Sequence, residues 1–255
     1  MVWPSLAQVR FLLVGEYPYG ALGGLAMSLV IVIMAVVIGF LLGVAIGIGR
    51  LSDKSPIRRP CQLYVELIRA TPLIMVLFWF YFLIPNVLGM RISLFWTVIV
   101  ALITYVSAYL AEAVRAGLMA IPKGQPEAAY SIGLRPTQVL VFITLPQALK
   151  MMIPTFVGIF ISLFKESPAV MLVGFSELMD AGYSIATLHL QQTLSTFFII
   201  GAIFFVFCFW LSRFSLRLER RLNPERYRET GELPLDIEAT AIAAATPRGS
   251  IGAMK

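Results

Sequence analysis

Charge is what this sequence has least of. Lysine, arginine, aspartate and glutamate make up 13% of its 255 residues, about half the share of a soluble domain, and the mean hydropathy is +0.85. A water-facing surface cannot be built from so few charges, so the chain is read as polytopic in a membrane, with one domain sufficing for the length. Cysteine and histidine are also nearly missing. Cys61, Cys208 and His189 are the whole supply, so neither a disulfide nor a metal site is expected. No G-x-x-x-x-G-K-[ST] loop occurs to cradle nucleotide phosphates, since Gly49 to Ser55 lacks the second glycine. No nucleophile elbow and no histidine-rich zinc helix is present either, so an enzyme reading has no support.

What is there instead is a series of long apolar runs. Gly20 to Gly49 is thirty residues without a charge, and about 20 residues span a bilayer. Further spans are expected from about Ala70 to Pro85, over Ile92 to Ala111, between Leu145 and about Val173, and over Leu190 to Ser212. Met1 to Tyr19 is short and mixed, without a signal-peptide pattern. Gly39, Gly43 and Gly47 recur every four residues, a smooth face suited to close packing against another span. Arg50, Lys54, Arg58 and Arg59 crowd the next stretch, expected as a loop broken by Pro56 and Pro60.

Orientation follows from the cations, which favour the cytoplasmic side. Four follow the first span, three (Arg115, Lys123, Arg135) flank the segment before the fourth, and six lie between Arg213 and Arg228. Only Arg91 follows the second span, and Gly174 to Gln192 carries Glu177 and Asp180 but no lysine or arginine. Five helices with the N-terminus outside and the C-terminus cytoplasmic satisfy this count. The net charge of +6 is then loop anchoring rather than nucleic-acid binding. The tail from Glu229 reads as disordered.

One polar, finely punctuated segment interrupts the membrane pattern. In Lys123 to Pro146, Pro126 suits a first helical turn, Glu127 complements the positive helix end, and Ala128 and Ala129 are strong helix formers. Gly133 supplies a left-handed cap and Pro136 prevents resumption. A two-turn helix from about Pro126 to Ile132 is predicted, with two small alanines that let another protein approach closely.

That segment resembles the EAA motif of ABC importer permeases: Glu127-Ala128-Ala129, three residues, Gly133, nine residues, Ile143, one residue, Leu145-Pro146. Two further stretches resemble the polar amino acid permeases of the histidine, glutamine and glutamate type: Glu66-x-x-Arg69-Ala70-Thr71-Pro72-Leu73, with alanine where the family usually has glycine, and Ala108-Tyr109-x-x-Glu112-x-x-Arg115-Ala116-Gly117. The run from Pro72 to Pro85 looks most like the glutamate/aspartate branch.

The resemblance implies an all-α membrane protein with the type I ABC importer permease fold. It assigns 1–19 to a short extracytoplasmic N-terminus, 20–215 to the transmembrane domain, about 124–134 to the coupling helix, and 216–255 to a cytoplasmic tail. Gly124, Glu127, Ala128, Ala129, Gly133, Leu134, Ile143, Leu145 and Pro146 would couple to the ATPase. Glu66 with Arg69, and Glu112 with Arg115, are three apart and are candidate structural pairs.

Lys165-Glu166-Ser167-Pro168 resembles the family's K-D-T-S-L and is the candidate translocation pathway. Ionisable groups within a span are costly and tend to face a cavity, and Pro168 breaks the helix ladder. The implied machine moves a polar amino acid inward by alternating access across the inner membrane. Its partners would be an ATPase dimer carrying ATP and magnesium, a second permease subunit (identical or paralogous), an extracytoplasmic binding protein and the lipid bilayer. No cofactor or metal is expected on this chain. The rival reading is a secondary transporter or channel subunit that uses no ATP. Five spans without inverted-repeat halves argue against it.

Overall fold

A computed structural model describes residues 3–89 and 92–222. It is helical almost throughout. Four helical stretches are long and apolar enough to cross a membrane: Gly24–Arg50, Leu94–Met119, Pro136–Val173 and Leu190–Glu219. A fifth is reached if Ser55–Arg69 and Leu73–Leu88, bent by 109° at their junction, count as one broken span.

Helix α1 (Leu6–Val14) precedes the first span. It opens with a capping box in which the Ser5 side chain accepts from the Gln8 backbone and the Gln8 side chain accepts from the Ser5 backbone. Its Leu12 is fully buried against Leu178, Ala181, Ile185 and Ile200. The N-terminal segment is thus a folded part of the protein, helical where the sequence suggested only a short mixed stretch.

Helix α2 (Gly24–Arg50) lies along α6 (Leu94–Met119). Gly39, Gly43 and Gly47 form the contact. A Cβ added at Gly47 would sit 2.8 Å from the Ala111 carbonyl oxygen, and one at Gly43 would sit 2.7 Å from Leu110 Cβ. No side chain fits between these two helices, which is why the four-residue glycine repeat is there.

The stretch after α2 is a helix, not the expected loop. Helix α3 (Ser55–Arg69) takes Pro56 into its first turn, where no N–H is needed, and contains Pro60 at the cost of one backbone bond. Tyr64 ties it to α6, donating to the Thr104 carbonyl at 2.8 Å and lying 2.7 Å from Ser107 Oγ. The chain continues as α4 (Leu73–Phe78), a π-helical turn (Trp79–Leu83) and α5 (Ile84–Leu88).

Helix α6 runs eight residues beyond the expected end at Ala111, so Glu112 and Arg115 stand on a continuous helix. After α7 (Gly124–Ser131), the chain rises through α8 (Pro136–Gln138), a π-helical segment (Val139–Thr144), α9 (Leu145–Glu166) and a 3-10 segment (Ser167–Val173). Two of the prolines in this span fall at changes of helix type, while Pro154 is carried inside α9. Pro146 begins α9 directly after the π segment, and Pro168 begins the 3-10 segment. Helix α10 (Leu178–Leu188) caps one end of the bundle, and α11 (Thr193–Leu222) closes it. Residues 216–222, the start of the segment assigned to the tail, continue α11; the remainder of that tail, including the stretch from Glu229, lies outside the described residues.

Candidate functional site

The polar segment folds into α7, two residues longer at its start than the sequence predicts. Gly133 adopts φ +85°. Its N–H donates to the Tyr130 carbonyl at 2.9 Å, and Leu134 N–H donates to the Ala129 carbonyl at 3.2 Å. Those two bonds form a Schellman closure, which satisfies the last carbonyls of the helix. Ala129 is the buried residue of α7. Gly124, Glu127, Ala128 and Gly133 are exposed, and the neighbouring Tyr130 and Ile132 are 48% and 79% exposed. Leu134 is half-buried. Ile143 lies in the π segment, and Leu145 and Pro146 open α9, so these three sit on the span that leaves α7 rather than in the connecting turn.

At the same end of the bundle, Glu112 is the centre of a charge cluster. Arg115 gives its carboxylate oxygen Oε1 two bonds, at 3.1 Å from Nε and 2.5 Å from Nη2. Arg50, from the end of α2, pairs with Oε2, and Arg69, from the end of α3, reaches the same oxygen at 3.2 Å. The expected pair of Glu112 with Arg115 is present. The expected pair of Glu66 with Arg69 is not: Arg69 turns toward α6, and Glu66 accepts from Gln62 Nε2 at 2.9 Å instead. Three residues of spacing allow a pair, but Arg69 reaches Glu112 and lies over the Tyr109 ring instead.

Arg50 and the tyrosines near this cluster escaped the sequence reading. Arg50 looked like one of several loop cations, and its partner is 62 residues away. Tyr105 and Tyr109 carry a signal that could have been found, since they are four apart on one helix face. Their hydroxyls are 3.1 Å apart, and the Arg69 guanidinium carbon lies 5.7 Å from the centre of the Tyr109 ring.

Lys165 and Glu166 end α9 and are both exposed, in the midst of an apolar span. Glu166 lies within electrostatic reach of the Tyr105 hydroxyl, and Lys165 within that of Cys208. Ser167 is buried, donating to the Phe164 carbonyl at 2.9 Å, so it closes the helix rather than opening toward solvent. Pro168 is half-buried beside it. Among the described residues, no three histidine, cysteine, aspartate or glutamate side chains gather to hold a metal ion.

Known proteins resemble this chain over most of its length. It is 35% identical over 202 residues to the arginine transport system permease protein ArtQ of Bacillus subtilis (strain 168), covering 79% of this chain and 92% of that one. It is 34% identical over 217 residues to the glutamate/aspartate import permease protein GltK of Escherichia coli O157:H7, covering 82% and 96%. Among solved structures, a chain of an amino acid ABC transporter crystallised with histidines superposes with a TM-score of 0.74 at 33% identity, covering 87% of this chain and all of that one. The MetNI methionine ABC transporter, at 20% identity and a TM-score of 0.69, shares the fold. Residues 37–224 match the family model of the binding-protein-dependent transport system inner membrane component. With helices that can cross a membrane and a family match over most of its length, the chain belongs to the inner membrane components of binding-protein-dependent transport systems.

Proposed function

We propose that this chain is the membrane-spanning subunit of an ABC importer that moves a polar amino acid into the cytoplasm, with α7 as the helix that docks on the ATPase. The observation that carries the reading is the build of α7. It is closed by a Schellman cap, anchored through Ala129, and turns Glu127, Ala128, Tyr130 and Ile132 away from the rest of the described chain. An exposed isoleucine and tyrosine beside a small-residue face, outside the apolar spans, suit a partner's groove. The amino acid substrate is supported by the names of the permeases and of the transporter that the chain resembles.

ATP and magnesium would sit on the ATPase dimer. A second permease subunit and an extracytoplasmic binding protein would complete the complex. Closure of the ATPases would favour one of two packings of the permease pair, and only that differential interaction can drive the change. Lys165 and Glu166 would line the pathway, a cation and an anion complementary to an amino acid zwitterion. The cytoplasmic side would be the end bearing α7 and the Glu112 cluster, where the ends of α2, α3 and α6 gather their arginines.

The test is purification of the chain from its own cells. An ATPase should co-purify, and Ala128→Trp should abolish that association while leaving the chain in the membrane. An unchanged yield of ATPase with Ala128→Trp sinks the docking assignment.

A further inference from the structure

The polar groups on α6 form a continuous run. Tyr105, Tyr109 and Glu112 are spaced four and three apart, so they share one face. Glu166 approaches the first of them, and Arg69 approaches the other two. Glu112 carries one negative charge against the three positive charges of Arg50, Arg69 and Arg115, so the cluster has a surplus of two.

The three arginines are not equivalent. Arg115 fills one carboxylate oxygen with two bonds, and Arg50, only 10% exposed at its side chain, holds the other. Arg69 shares the oxygen that Arg50 already holds, at 3.2 Å, and its side chain is 44% exposed. A guanidinium has five N–H donors in a planar fork that matches a carboxylate. Arg69 directs one nitrogen at Glu112 and rests over the Tyr109 ring, which fixes its plane. The rest of the fork is presented at a surface with excess positive charge.

We propose that Arg69 is the carboxylate-binding group of an inner substrate station, one helical turn of α6 from Glu166, and that it selects ligands bearing a free α-carboxylate. This rests on the reading that Lys165 and Glu166 line the pathway. An amino acid leaving Glu166 toward the cytoplasm meets Arg69 next. Glu112 and Tyr109 are positioning residues, one holding the guanidinium and the other backing it. Arg69 is dispensable for the fold, because Glu112 keeps Arg50 and Arg115 when Arg69 is removed.

The test is equilibrium dialysis of the purified permease–ATPase complex, without binding protein, against radiolabelled L-glutamate, L-glutamine and L-arginine and against their α-methyl esters. At least one free amino acid should bind, and its ester should bind about ten- to hundredfold more weakly, the worth of a charge-assisted hydrogen bond. Arg69→Ala should weaken the free acid to the level of the ester and leave the ester unchanged. Arg69→Lys should recover part of the difference, since it keeps the charge and loses the fork. A merely structural role for Arg69 would weaken acid and ester together, which would overturn the proposal, as would wild-type affinity in Arg69→Ala.

Lys165→Ala separates the two readings. Loss of binding there, with Arg69→Ala unaffected, leaves the pathway standing and removes the inner station. Wild-type affinity in both variants, or no binding of any of the three amino acids to the wild-type complex, overturns both.

Discussion

Ser28 and Glu177 are 149 residues apart in the chain, and Ser28 Oγ donates to Glu177 Oε2 at 2.9 Å. The other carboxylate oxygen accepts from Met179 N–H at 2.7 Å and from Asp180 N–H at 3.2 Å, so Glu177 is the N-cap of α10. Ser28 Oγ also accepts from Leu178 N–H at 3.2 Å. One fully buried acid therefore joins the start of α10 to the second turn of α2. Glu16 and Asp180 line a small cavity of about 290 Å³ beside it.

Burial pushes the Glu177 carboxyl up to about 6, against the pull of its hydrogen bonds from Ser28, Met179, Asp180 and Leu178. The folded protein therefore holds this proton more tightly than the unfolded chain. The contribution to stability is fully present below the unfolded value near 4.5 and is lost as pH rises through about 6. The loss amounts to about 2 kcal/mol by pH 7. Glu177→Gln should remove this dependence, because a neutral amide can still accept from the α10 backbone and meet Ser28. Denaturation midpoints in detergent at pH 4.5 and pH 7 should differ more for the wild type than for Glu177→Gln. Equal differences would show that the acid is not the titrating group.

Gly133 offers a test that involves no steric conflict. A Cβ at this position meets nothing within 4 Å, so the whole effect of a substitution is its φ of +85°. Gly133→Val should strain the cap by about 1–3 kcal/mol and shift the face of α7. Gly133→Asn should be tolerated, since asparagine enters this conformation readily. The expected outcome is loss of substrate-stimulated ATPase activity with Val, near-normal activity with Asn, and normal membrane insertion with both. Equal activity in the two variants would mean that the cap does not position α7.

The features legible in the sequence were the local ones. The glycine repeat of α2, the cap at Gly133 and the pair of Glu112 with Arg115 each depend on residues within a turn or two of one another. Pro56 and Pro60 predict a broken loop, and the structure has a helix there. In the structure one falls where a helix start lacks partners anyway, and the other costs a single bond. Helix α1 had a readable signal in Ser5 and Gln8, the two ends of its capping box. The Arg50 and Arg69 contacts to Glu112 had no such signal. They depend on how three helix ends meet, and pairing across 62 residues leaves no period in the chain.

The packing of α2 on α6 predicts a sharp contrast among glycines of similar hydrophobic surroundings. A side chain at Gly47 would collide with the Ala111 carbonyl oxygen, a backbone atom that cannot turn aside. Gly158 and Gly201 also sit inside helices, but a Cβ at either meets nothing within 4 Å. Gly47→Val should therefore destabilise by about 1–3 kcal/mol through overpacking, seen as a lower denaturation midpoint in detergent. Gly158→Ala and Gly201→Ala should be neutral or slightly stabilising, because alanine favours the helix. A Gly47→Val protein as stable as the wild type would require α2 and α6 to separate at no cost, contrary to their contact.

Orientation gives the last prediction. The Glu112 cluster brings Arg50, Arg69 and Arg115 to one end of the bundle, and α7 lies at the end of α6 that carries them. Glu177 and Asp180 cap the opposite end, in a stretch from Gly174 to Gln192 without lysine or arginine. Moving cations rather than acids to the far side is what membrane insertion resists, so the arginine end should be cytoplasmic. A reporter active only in the cytoplasm should work when fused after Arg228 and be silent when placed within Gly174 to Gln192. Helices α2 and α6 run parallel, Gly39 against Val106 and Gly47 against Val114, so the bent α3–α5 segment must carry the chain back across the bundle, and the two ends of the described structure lie at opposite ends of it. A reporter joined ahead of Trp3 should therefore be silent, and activity there together with activity after Arg228 would overturn the five-span arrangement.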